Sequence, residues 1–179
     1  MHSCIRQLFI TALLLLLTMS TQAQETSSNN NFKEQFNGHF NYASRVLQLA
    51  RAMPADLYDW RPMEGVSSVQ KVYTHIASTN LYYLENNLGI PSPKGIERDE
   101  IESITGKEEV VAILEQSINH VKKAVQEMPE SKLSARTELY GRTVNGQAVL
   151  MQLITHMSEH VGQSIAYARM NNIVPPWNK

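Results

Sequence analysis

The chain has 179 residues, with 16 basic and 17 acidic side chains and a formal charge of −1. That balance, with no basic run, excludes a nucleic-acid partner as a reading of the sequence. Its one cysteine, Cys4, excludes a disulfide framework and any cysteine-built metal site.

The first 23 residues read as a signal peptide. Arg6 supplies a short basic start, Leu8 to Met19 is an apolar run too short to span a bilayer comfortably, and Ser20-Thr21-Gln22-Ala23 offers small residues for cleavage after Ala23. Cys4 precedes the apolar run, whereas a lipoprotein cysteine would follow it. The expected product is periplasmic or secreted, with no stable membrane anchor after cleavage; an uncleaved anchor is the alternative. Removing Arg6 leaves 15 basic against 17 acidic residues, a formal charge of −2. Residues 24–30, rich in Ser and Asn, are expected to be a flexible leader. Residues 31–179 are of a length that forms one domain with an ordinary core.

Four amphipathic helices are expected in that domain. The first runs from Asn31 to Met53 on a stripe of Phe32, Phe36, Phe40, Ala43, Leu47 and Ala50, and Pro54 ends it. A loop carrying Asp59-Trp60-Arg61-Pro62 follows. The second helix starts at Ser67 or Ser68, with a Ser67/Gln70 capping box, and Gly89 stops it after Leu88. Its inward face includes Val72, His75/Ile76, Thr79 and Tyr82/Tyr83. A linker with Pro91, Pro93 and Gly95, then an acidic patch from Glu97 to Glu102, leads to the third helix. That linker is long enough to run the length of a helix, so the second and third helices can lie parallel through a crossover. The third helix is expected from Thr105, with a Thr105/Glu108 capping box, to Met128. A loop from Glu130 to Asn145, with a short extended piece around Tyr140-Gly141-Arg142, precedes the fourth helix, Gly146 to Asn171. The fold class is therefore all-α, a four-helix bundle with a long crossover between the second and third helices.

The chemistry concentrates in the fourth helix. His156 and His160, four residues apart, stack on one face, and two such nitrogens can close on one ion. The seam Val149, Leu153, His156, His160, Gln163/Ser164, Tyr167 turns both toward the core. Two satisfied core histidines are the bland alternative, and His75, inward on the second helix, tips the balance to a metal. His39 and His120 read as helix-flank histidines. His156-Met157-Ser158-Glu159-His160 also matches the inverted zinc-peptidase pattern. No acid follows it from Val161 to Lys179, and Glu159 is rotated away, so that reading fails.

Trp60-x-Pro62 with Gly65, Ser67-Ser68-Val69 leading to His75-Ile76, His156-x3-His160-x-Gly162-Gln163, Tyr167-x-Arg169 and the closing Ile173-x-Pro175-Pro176-Trp177 together resemble the DinB-like family. The resemblance covers nearly all of the mature chain. It implies a four-helix bundle with a long crossover, often a homodimer, and a divalent metal ion held by His75, His156 and His160. Characterised relatives include thiol-dependent S-transferases and a maleylpyruvate isomerase, and two readings stay open: an exported metal-dependent hydrolase or transferase acting on a small molecule, and a non-catalytic module in which the metal fastens the second helix to the fourth. Three neutral imidazoles leave a position for water or substrate, as in catalytic zinc sites. Zn or Ni is the expected ion, and Mn or Fe also accept imidazole. Gln163, Tyr82 and Asn80 are candidates to support the ligands. Trp60 and Trp177 read as hydrophobic plugs at the ends of the bundle.

Overall fold

The computed structural model describes residues 31–178; the signal peptide and leader expected at 1–23 and 24–30 lie outside them. The bundle is built from α1 (31–43) with α2 (Val46–Ala52), α3 (Val69–Tyr82), α4 (Lys107–Glu127) and α6 (Gly146–Met170); a short α5 (Glu130–Ser134) and a hairpin precede α6. Hydrogen bonds between elements fix their directions. Gln70 Oε1 accepts from the Gly106 amide and Asn80 Nδ2 donates to Ser117 Oγ, so the early part of α3 meets the start of α4 and its middle meets the middle. These two helices are parallel, as the long linker allowed. Tyr167 Oη donates to Ser67 O at the opposite end from the His75–His156 contact, so α6 runs antiparallel to α3. Lys33 donates to Met128 O and Arg51 pairs with Glu115, which sets α1–α2 antiparallel to α4.

The first helix is not continuous. Ser44 Oγ back-bonds to Phe40 O at 2.7 Å and the chain bends at Ser44–Arg45. The bend moves the apolar stripe by a residue. Val46, Leu49 and Met53 are fully buried alongside Ala50, and Leu47, expected in the stripe, is only partly buried. Pro54 ends the helix as expected.

The start and end of α3 fall where the sequence placed them, but the capping boxes and the start of α4 differ for identifiable reasons. Ser68, not Ser67, caps α3, accepting from Lys71 N at 3.4 Å. Gln70 is drawn off to Asp59 and the Gly106 amide, so no capping box closes. The helix reaches Asn87, but its last turn, Tyr83–Asn87, widens to π-helical geometry before Gly89 (φ 60°) ends it. The expected Thr105/Glu108 box does not form either: α4 begins at Lys107 behind Gly106, whose φ of 88° suits glycine.

The linker is more ordered than its composition suggested. Arg98–Ser103 forms a 3-10 turn whose Ile101 is buried, with Ile96 and Ile104, against Ala77 and Leu81 of α3 and Ile113 of α4. Fully burying one such side chain is worth about 1.5–3 kcal/mol, enough to hold the following residue, Glu102, in a fixed place beside α3. The loop before α6 contains α5 and an antiparallel hairpin, Arg136–Leu139 (β1) with Arg142–Asn145 (β2), registered Thr137 to Val144. Tyr140 and Gly141 both have positive φ at its two-residue turn. No helix among the described residues is long and apolar enough to cross a membrane.

A candidate metal centre between α3 and α6

The histidines sit beside the core seam, not in it. Met157 and Val161 take the buried positions of α6, and His156 and His160, one residue before each, are rotated to the flank and half-buried. At about 100° per residue, that rotation is what separates an α6 side chain packed in the core from one facing the α3 edge. Ile76 likewise occupies the core position of α3, and the His75 side chain, 41% exposed, turns to meet α6.

There the three rings converge. His156 Nε2 lies 3.1 Å from His75 Nε2 and 3.1 Å from His160 Nε2. The ring centroids are 4.5–5.1 Å apart with steep interplanar angles, so the ring edges point at a common centre. Among the described residues these three are the group whose ligand atoms gather closely enough to hold a metal ion.

The outer nitrogens decide what the inner ones offer. His75 Nδ1 is 2.8 Å from Glu102 Oε1, and a carboxylate can only accept, so this ring nitrogen carries the proton. The Glu102 Oε2 atom is paired with Lys71 Nζ at 2.6 Å. Burial alone would raise the Glu102 pKa, but hydrogen bonds from Lys71 and His75 outweigh it and hold the group below the ordinary carboxylate value. His160 Nδ1 is 2.8 Å from Gln163 Oε1; Gln163 Nε2 donates to Tyr167 Oη, which donates to Ser67 O. The Gln163 oxygen is thus the atom facing His160, which again places the ring proton on Nδ1. His75 and His160 therefore both present a lone pair on Nε2. His156 Nε2 can donate to one of them at most, and its own Nδ1 is buried without a hydrogen-bond partner among the described residues.

This is a surplus of lone pairs around one point, of a kind that could hold a metal ion. Bonds of about 2.0–2.1 Å at tetrahedral angles place nitrogens about 3.3 Å apart, and facial octahedral ones about 2.9 Å. The observed 3.1 Å falls between these values. The donor set is also ready for a metal. Burial, then the neighbouring His160 and His75, lowers the His156 pKa to about 4, and burial lowers that of His160, so both rings are neutral at pH 7, the form in which imidazole can bind a metal.

Of the supporting residues expected from sequence, only Gln163 touches a histidine. Asn80 is buried on the α4 side of α3, donating to Ser117, and Tyr82 lies under the Arg98 guanidinium and against Tyr83. Glu102 and Lys71 went unnoticed in the sequence. Glu102 is one acid of a patch 27 residues from His75, and only the burial of Ile101 brings it to that ring. His39 is exposed on α1, and His120 on α4 is engaged with the Pro91 backbone; neither joins the cluster. Trp60 packs edge-on against Tyr167 at 5.4 Å, and the Arg45 guanidinium covers Trp177.

Comparison with known proteins agrees with this architecture. The model of the DinB family matches residues 19–177. The chain belongs to the DinB family. A DinB-like protein from Bacillus cereus superposes with a TM-score of 0.67 at 18% identity, covering 80% of this chain and 95% of that one. A DinB-like protein from Bacillus subtilis gives a TM-score of 0.60 at 21% identity, covering 80% and 93%. At such identities these structures support the fold alone. No curated protein matches the chain.

Proposed function

We propose that this DinB-family chain is an exported metal-dependent enzyme, a hydrolase or transferase acting on a small molecule, with a divalent ion held by His75, His156 and His160. The observation that carries the reading is the convergence of three Nε2 atoms, two with their protons committed to the opposite nitrogen. Zn or Ni fits three imidazoles best, and Mn or Fe is also compatible. A bound ion would supply Lewis acidity and a water acidified toward neutral pH. The chain's own contribution is orientation. Glu102 fixes the His75 ring and strengthens its inner nitrogen as a donor, and Gln163 fixes His160 against Tyr167. Three protein ligands leave an exchangeable position, which separates this from a closed structural site.

The second reading makes the ion a non-catalytic fastener between α3 and α6. It is favoured by the fact that all three histidines bridge those two helices. Cobalt-substituted protein distinguishes the two. A change in its visible spectrum on adding azide is expected for an open position, and an unchanged spectrum at saturating azide would leave the fastener. Export rests on the Leu8 to Met19 run and the Ala23 site; protein from the native host should begin at Gln24, and an intact Met1 in the soluble fraction would reject it. A homodimer, implied by the family resemblance, is tested by light scattering of the mature chain.

A further inference from the structure

A cleft of about 440 Å³ lies between the Arg61–Ser68 loop, the first turn of α3 and the end of the crossover linker. Its size is within the range of small-molecule sites, about 300–1,000 Å³. Arg61, Ser67, Ser68, Lys71, Glu102 and Thr105 are in its walls. Two cations face one carboxylate there, a surplus of one positive charge. Arg61 is exposed and has no hydrogen-bond or ionic partner among the described residues. The first-turn amides of α3 are spent: Val69 N on Trp60 O, Gln70 N on Tyr58 O, Lys71 N on Ser68 Oγ. Recognition in this cleft therefore falls to side chains. The guanidinium offers a planar fork of donors suited to a carboxylate or a tetrahedral oxyanion. The Ser68 hydroxyl accepts from Lys71 N and keeps its own proton free to donate.

The cleft is also where both histidine-orienting chains end. One runs His75–Glu102–Lys71, and the other runs His160–Gln163–Tyr167–Ser67. Lys71, Glu102 and Ser67 are wall residues. We infer that this cleft binds a small oxyanion-bearing molecule through Arg61 and Lys71, and that its occupancy is coupled to the histidine cluster. The coupling, though not the anion site itself, rests on the metal reading above. An anion that draws Lys71 away leaves the Glu102 carboxylate with the neutral His75 Nδ1–H as its remaining side-chain partner. That hydrogen bond strengthens, and the inner His75 nitrogen becomes a better donor. Anion binding therefore tightens metal binding, and metal binding tightens anion binding by the same factor.

Calorimetric titration of sulfate and of succinate into the chelator-treated mature chain tests the site without any metal. Saturable binding of either anion is expected, weakened about tenfold or more in Arg61→Ala and in Lys71→Met, and unchanged in Lys123→Ala. Preference for succinate identifies a carboxylate ligand and preference for sulfate a tetrahedral one. No saturable binding of either, or equal weakening by Lys123→Ala, overturns the site. Zinc affinity, measured by chelator competition, is then expected to rise severalfold with saturating anion in the wild type and to stay constant in Arg61→Ala. Anion binding with no change in zinc affinity overturns the coupling. Failure to bind zinc under any condition would reject the metal reading instead, and the metal-free titration would still decide the cleft.

Discussion

His75 and His160 present the same nitrogen to the same point, but they are held there by unlike means. The His75 arm is charged and non-local: Glu102, from a linker 27 residues on, is paired in turn with Lys71. The His160 arm is neutral and mostly within one helix, Gln163 and Tyr167 following at intervals of three and four before Ser67 closes it. His156, between them, has no arm, and its Nδ1 is buried alone. A carboxylate polarises the N–H it accepts from more strongly than a neutral amide oxygen does, so His75 is expected to be the strongest donor of the three. The His160 arm mainly supplies direction. The site thus divides electronic tuning from positioning, and each duty can be removed separately.

The largest effect comes from removing a ligand outright. Alanine at His75, His156 or His160 is expected to abolish retained metal in dialysed protein, because a two-nitrogen site loses the chelation that three provide. Alanine at His39 or His120 should leave the metal content unchanged, since neither residue reaches the cluster. Elemental analysis of the wild type beside the five variants decides this. Equal metal in wild type and His156→Ala would reduce the α6 pair to helix-flank histidines.

A smaller effect separates the two arms. Glu102→Gln keeps an acceptor near His75 but removes the charge, and zinc affinity is expected to fall about 10- to 100-fold. Gln163→Leu frees the His160 ring to turn and removes a hydrogen bond to a neutral group rather than a charge, and a loss below about tenfold is expected. Chelator competition on both variants measures the ratio. Equal losses would remove the distinction between tuning and positioning, and a larger loss in Gln163→Leu would invert it.

The contrast between the arms also explains what the sequence made legible. Periodicity located the four bundle helices and turned His75, His156 and His160 inward, toward the core, because apolar spacing at 3.6 residues per turn reports which face is covered. It overshot by one residue on α6, where Met157 and Val161, not the histidines, take the deepest positions. Gln163 was visible because it stands three residues from His160 on the same helix. Glu102 was not, because its position depends on Ile101 packing against α3 and α4 across a linker whose composition read as a loop. The Ser67/Gln70 capping box fails for a related reason: Gln70 finds better partners in Asp59 and the Gly106 amide, which lie far from it in sequence. Local hydrogen-bond rules fail where a tertiary partner competes for the same side chain.

The smallest expected effect concerns the metal-free protein and the histidine without an arm. His156 is lowered to about 4 by burial and by the neighbouring His160 and His75, and burial also lowers His160 and His120. Each of these groups has a lower pKa folded than its ordinary 6.5, so below that pH the unfolded chain takes up protons that the folded chain refuses. The histidines' contribution to stability is therefore flat above about pH 6.5, falls as the pH drops toward 4, and flattens again once their folded forms are protonated too. The half-buried setting of these rings screens the effect, and about 1 kcal/mol between pH 7.5 and 5 is expected, or about 2–4 °C in Tm. Calorimetry of chelator-treated protein across that range measures it. His156→Gln should flatten the profile, because its lone Nδ1 and its two imidazole neighbours make it the costliest ring to charge. His120→Gln should flatten it much less, because the Pro91 backbone hydrogen bond opposes the effect of burial there. If both variants flatten the profile equally, the convergence of the three rings adds nothing to the resistance of His156 to protonation.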